Sequence, residues 1–148
     1  MTLAPVGPMS NTQPSLSVVV AELVEMLASG ALEPGYSAPI RRGSAQGTVA
    51  VVPSPAHRIP LLVITLEIMR APADASSAFL TRLLELNGTL MGRAAFSLND
   101  AGLVYLQAGR PIEDLDEGEL IDLIIWTADQ ADHLDDLLLE EFGREHEL

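Results

Sequence analysis

The chain has 148 residues, 48% of them hydrophobic and none of them cysteine. That is enough to bury one core without disulfides or a structural metal, and it excludes zinc ribbons, iron–sulfur clusters and thiol nucleophiles. Residues 113–148 hold 14 of the 21 acidic residues and one of the eight basic ones, so the whole net charge of −13 sits in the last quarter of the chain. Every basic residue is arginine; so acidic a chain is a poor ligand for phosphate backbones and anionic lipid, and neither direct nucleic-acid nor membrane binding is expected.

Residues 1–14 are rich in Pro, Ser, Thr and Asn, a composition that predicts a flexible tail; they carry no basic segment followed by an apolar one, and a cytoplasmic address is expected. A single domain is expected over 15–143, with 144–148 as a C-terminal tail. Leu16, Val19, Val20, Leu23 and Leu27 recur at helical spacing up to Gly30, predicting a first helix over 15–28. Three strands follow, over 36–42, 48–52 and 58–69, with Gly43 to Gly47 as one turn and Pro53, Pro55 and Pro60 bracketing a loop that carries His57. In the third strand Leu62, Ile64, Leu66 and Ile68 form an apolar face, while Leu61, Val63, Thr65 and Glu67 form a mixed one.

Pro72 and Asp74 predict the start of a second helix, and Asn87-Gly88 its end in left-handed geometry; Phe79, Leu80, Leu83, Leu84 and Leu86 make it apolar on more than one side. Residues 90–98 and 103–108 flank the turn sequence Asn99-Asp100-Ala101-Gly102, predicting a hairpin. Asp114, Asp116 and Glu117 then open a long helix reaching Phe142, buried along Leu120, Ile124, Ala128, Ala131, Leu134, Leu138 and Phe142 and stopped by Gly143. The fold class is α+β, an antiparallel sheet with helices in the order α-β-β-β-α-β-β-α.

That order, the stretch Leu83-Leu84-Glu85-Leu86-Asn87-Gly88 before a strand, the hairpin from Leu98 to Leu106, the run Pro111-Ile112-Glu113-Asp114-Leu115 and the Ala/Asp-rich last helix resemble the YbjN-like family, whose members share the fold of bacterial type III secretion chaperones. The resemblance spans about 16–143. It implies a small, acidic homodimer that binds another protein without turnover, as chaperone or regulator. The chain departs from the family in its proline-broken segment 53–60 and its N-terminal extension.

No phosphate loop, dinucleotide fingerprint, zinc-protease motif or serine-hydrolase elbow is present, and neither enzyme activity nor a cofactor is expected. On the last helix Asp122, Asp129, Asp132, Asp136 and Glu140 fall roughly on one face with His133 among them. Like charges so placed cost about a few tenths of a kcal/mol per pair unless something cationic meets them. The face is a solvated surface, a surface for an Arg/Lys-rich partner protein, or a metal site through Asp129, His133 and Asp136; the last lacks a ligand from a second element, and no bound metal is expected. Trp126 reads as an aromatic at the edge of the core, and Arg41-Arg42 as a solvated strand end or an attractor of an acidic segment.

The function expected is a homodimeric protein-binding module. Phe79, Leu80, Leu83, Leu86, Leu103 and Tyr105 are the expected dimer interface, and Asp122, Asp129, Asp132, Asp136 and Glu140 the partner-binding face. The alternatives are an acidic-helix metal-dependent enzyme and an acidic mimic that occupies the basic surface of a DNA-binding protein.

Overall fold

A computed structural model describes residues 15–148 except 55, 57 and 75; the expected tail 1–14 and His57 lie outside the described residues. The elements are α1 (Leu16–Ser29), β1 (Ser37–Arg42), β2 (Ala45–Val52), β3 (Leu61–Arg70), α2 (Ser77–Thr89), β4 (Ala95–Leu98), β5 (Leu103–Pro111) and α3 (Glu117–Phe142), followed by one 3-10 turn at Arg144–His146. Their order is the one the sequence predicts. The strands form one antiparallel sheet in the order β1-β2-β3-β5-β4.

The alternation in β3 decides which side of the sheet is covered. Leu62, Ile64 and Leu66 are fully buried beside Val49 and Val51 of β2 and Val104 and Leu106 of β5, and α3 packs across β1, β2, β3 and β5 on that side. Ala128 and Ala131, fully buried at the middle of α3, have side chains short enough to bring its backbone close to the strands. α1 lies against α3 and β1. Leu61, Val63, Thr65 and Tyr105 point to the other side, where they are half-buried. A register shift between Glu67 and Met69 turns both Ile68 and Met69 inward.

Several boundaries differ from expectation. β2 begins at Ala45, so the first turn is only Gly43-Ser44, and Gly47 is a strand residue facing Leu66 of β3. The reason is steric: a β-carbon at Gly47 would overlap the Thr65 carbonyl oxygen. α2 begins at Ser77 rather than at Pro72, and it continues through Asn87 and Gly88 to Thr89. Asn87 does not close the helix in left-handed geometry; its side-chain oxygen accepts the Phe96 backbone N–H at 2.7 Å, tying α2 to β4. The left-handed residues are instead Met91 and Gly92, which shortens the expected strand 90–98 to four residues. Asn99 organises the β4–β5 turn as expected, its side-chain oxygen accepting from the Ala101 and Leu103 N–H groups. Asp116 caps α3 in a reciprocal box with Glu119.

Gly47→Ala is therefore expected to destabilise the fold by about 1–3 kcal/mol or more through the overlap with β3, seen as a lowered midpoint in urea unfolding; an unchanged midpoint would contradict the close approach.

Candidate partner-binding surface

The outer face of α3 carries most of the charge, and the chain's own arginines meet it. Arg42 from β1 bonds Asp129 at 2.7 Å, and Arg93 bonds Asp122 at 2.6 Å while its guanidinium lies 3.9 Å over the Trp126 ring. Arg110 at the end of β5 reaches Glu119 at 3.1 Å. Arg82 of α2 grips Glu141 with two parallel bonds of 2.9 and 3.0 Å. Arg144 lies 3.6 Å from Asp136. These are partly exposed pairs, each contributing little alone. Together they join β1, α2, β5 and the loop before β4 to one helix.

Three of the five expected partner-binding residues, Asp122, Asp129 and Asp136, thus have intramolecular cations as neighbours. Asp132 has a different role. The β1–β2 turn rests on it: the Ser44 backbone N–H donates to Asp132 Oδ1 at 3.1 Å, and the Ser44 hydroxyl lies 3.3 Å from the same oxygen and 2.8 Å from Asp135 Oδ2. A hydroxyl has one proton to give, and the shorter contact assigns it to Asp135. Gly43, with φ of 58°, leaves no room beyond Asp132: a β-carbon there would overlap its carboxylate. Glu140 and His133 are exposed. The metal grouping Asp129, His133 and Asp136 is not assembled, because Asp129 is turned to Arg42; the three carboxylates that converge are Asp132, Asp135 and Asp136.

Asp135 is the residue the sequence reading missed. It is 3% exposed, and its Oδ1 has no hydrogen-bond partner among the described residues. Burial pushes its pKa up to about 6, the neighbouring Asp136 and Asp132 carboxylates add to the rise, and the Ser44 hydroxyl opposes it. A signal was available: the core-facing positions Ile124, Ala128, Ala131, Leu138 and Phe142 step by four and three, and continuing that rhythm from Ala131 lands on Asp135.

The expected dimer residues divide. Phe79, Leu83 and Leu86 are buried within the protomer, Phe79 edge-on to Phe142 with ring centroids 5.0 Å apart, so they are not available to a second subunit. Leu80 faces outward together with Leu84, which is 70% exposed. Leu103 and Tyr105 are half-buried on the sheet face away from α3, so the six residues do not share one surface. Trp126 is half-buried at the core edge, and Arg41 bonds Gln46 at 2.6 Å.

A groove of about 660 Å³ runs between α1 and α3, lined by Val18, Val20, Ala21, Val24, Ile121 and Ile125, with Glu22 and Glu25 also along it. No helix among the described residues is long and apolar enough to cross a membrane.

A model of the Tir chaperone protein (CesT) family matches residues 49–135, which run from β2 well into α3. The chain belongs to the CesT family. CesT-family membership places it among non-enzymatic chaperones, and the secretion-chaperone fold implied by the sequence resemblance is the one it has. Among solved structures, a chain of the ExsC–ExsE complex is similar to this CesT-family chain at 18% identity and a TM-score of 0.57, covering 84% of this chain and 97% of its own. That likeness extends the shared fold to most of the chain. Two others are similar at lower TM-scores. A chain of the Yersinia pestis type III secretion chaperone SycH in complex with a stable fragment of YscM2 has 18% identity, a TM-score of 0.49 and coverages of 78% and 98%. A chain of the HopA1–SchA chaperone–effector complex has 16% identity, a TM-score of 0.42 and coverages of 81% and 98%. No curated protein matches.

The buried Asp135 makes stability depend on pH with a definite sign. Its folded pKa of about 6 lies above the unfolded value of about 3.9, so the native state holds the proton more tightly. The associated stability is complete below about pH 4 and is lost as pH rises through about 6. Asp135→Asn keeps an oxygen for Ser44 and removes the charge. It is expected to stabilise the protein by about 2–3 kcal/mol at pH 8 and by almost nothing at pH 4, measured by urea unfolding at the two pH values.

Proposed function

We propose that this CesT-family protein is a cytoplasmic chaperone of the type III secretion kind, acting as a homodimer that binds a partner protein. The observation that carries the reading is the family match over residues 49–135 on a chain whose fold is shared with a protein solved in the ExsC–ExsE complex. The protomer buries its own core and still leaves two apolar surfaces outside it. On α2 and just beyond it, Leu80, Leu84 and Met91 are exposed at roughly helical spacing, a face suited to a second subunit. Between α1 and α3 lies the groove, apolar along its floor and acidic at Glu22 and Glu25, which suits a partner segment of apolar and basic residues. The net charge of −13 draws such a segment in, an effect on association rate that fades as salt shortens the Debye length from about 10 Å at 0.1 M to about 3 Å at 1 M. The arginine pairs neutralise α3 locally and leave this net field in place.

Light scattering at micromolar concentration is expected to give twice 15.8 kDa; a particle of 15.8 kDa removes the homodimer. Leu84→Asp, at an exposed position, is expected to yield a folded monomer, because a dimer interface would have to bury an unpaired carboxylate. Phe79→Asp, whose position is inside the protomer, is expected to unfold the chain. Affinity capture from the native bacterium tests the partner site: Val18→Asp, 56% exposed in the groove, is expected to release the captured protein without lowering the melting temperature. Retention of the partner by Val18→Asp moves the binding surface elsewhere.

A further inference from the structure

The negative charge of the chain is concentrated in and around α3, which lies on one side of the sheet. The opposite face of the sheet is different in character. Its strand residues stand in register across the ladder, Ala50 of β2 beside Val63 of β3 and Gly109 of β5, with Val52 beside Leu61 in the next row. Val52, Leu61 and Val63 are half-buried and lie apart from the core cluster on the α3 side. The charged strand residues on this face are Arg41, Glu67 and Arg70, all toward the end nearest the β1–β2 turn. Two arginines and one glutamate give the face a charge of +1 in a chain of −13. Arg42 and Arg110, by contrast, point to the α3 side, where they meet Asp129 and Glu119.

We propose that this face is a second self-association surface, on which two copies of the chain stack sheet to sheet and so join two homodimers into a tetramer. It goes beyond the homodimer reading and uses none of the α2 residues assigned to that contact. A chain of net −13 repels its own copy, and the stacking keeps that repulsion small. Two stacked sheets lie about 10 Å apart and a helix layer adds about 10 Å on each side, so the two α3 helices stand about 30 Å apart, roughly three Debye lengths at 0.1 M salt. A basic partner segment is drawn to the α3 side and gains nothing from a face of +1. A second copy does gain, because the face is self-complementary. Arg41 and Glu67 share one row with Gln46 between them, and the Arg41 guanidinium is held toward β2 by its 2.6 Å bond to the Gln46 side chain. A two-fold axis along β2 sets β1 of one copy over β3 of the other, so Arg41 meets Glu67 of the second copy, and the pair occurs twice. Such pairs fix orientation more than they add affinity. The overlap is three strands wide, roughly 14 by 23 Å. That is well below the about 800 Å² a side of a standard interface, so a weak association with Kd of about 0.1–1 mM is expected.

Light scattering of the full chain is followed from about 10 μM to about 1 mM protein, a range that brackets the expected Kd. The mass is expected to rise from twice toward four times 15.8 kDa. Arg41→Glu, at an exposed strand position, sets two carboxylates against each other at both pairs and is expected to hold the mass at its low-concentration value. Combining it with Glu67→Arg restores both pairs with their signs exchanged, and the rise should return. Should the double change fail to fold, an equal mixture of the Arg41→Glu and Glu67→Arg chains restores the same pairs between unlike copies. The two self-association surfaces are told apart by Leu84→Asp, which acts on the α2 stripe and leaves a rise from one to two times 15.8 kDa. If wild-type protein is monomeric at the low end, the α2 homodimer fails, while a rise that Arg41→Glu blocks still supports the stacked sheets. A wild-type mass that stays constant up to about 1 mM, or an Arg41→Glu chain that rises as wild type does, overturns the proposal. So does a charge exchange that restores nothing in a folded chain or in the mixture. Release of a captured partner protein by Arg41→Glu, with no effect on mass, assigns the face to that partner and overturns it equally.

Discussion

The contact between α3 and the covered face of the sheet is what every other part of the molecule leans on. Leu120, Ile124, Ala128, Ala131, Leu134 and Leu138 of this helix are all buried, and they meet the apolar faces of β2, β3 and β5. The helix also supplies the surface on which α1 packs and the Phe142 ring against which α2 is set. Removing apolar surface from water is the main stabilising term in a domain of this size, and α3 is the element shared by nearly all of it. The two alanines at its centre hold the spacing; larger side chains there would push helix and sheet apart.

The charges are arranged around the same helix. A strongly acidic helix would repel itself if left bare. Arg42, Arg82, Arg93 and Arg110 come from four different places in the chain, and each ends on a carboxylate of α3. The absence of lysine fits this use, since a planar guanidinium can hold a carboxylate with two bonds, as Arg82 does with Glu141, where an ammonium offers a point charge. Asp135 is the exception: it sits on the buried side among other carboxylates, with a serine hydroxyl as its donor.

How much was legible follows from where the information lies. The order of elements was readable because local patterns fix it: the two-residue alternation from Leu61 to Ile68, the three-and-four rhythm of the last helix, and the Asn99 to Gly102 turn. Boundaries failed where tertiary contact overrides local preference. Gly47 reads as a turn residue but is a strand residue that lets two backbones approach, and Asn87-Gly88 reads as a helix end but stays helical because Asn87 is engaged with β4. The candidate surface was only half readable. An acidic face shows in the sequence, but its partners are far away along the chain, as Ser44 is from Asp135 and Arg42 from Asp129, and no spacing rule connects them. Likewise the apolar residues of α2 were visible, but which of them face inward depends on Phe142, at the far end of the chain.

β3 and β5 are neighbours in the sheet, but the segment 71–102 intervenes between them. The central ladder can form only after that loop has closed, an entropic cost that grows slowly with loop length. For the same reason the ladder does not depend in detail on what the loop contains. α2 and β4 are an excursion from a fixed frame, joined to each other by Asn87 and attached to the frame by the β4–β5 ladder, Arg82 and the packing of Phe79. Such an arrangement leaves the outward side of the excursion free to diverge between descendants while the frame stays constant, so a lineage can alter what its members pair with without having to re-evolve how they fold.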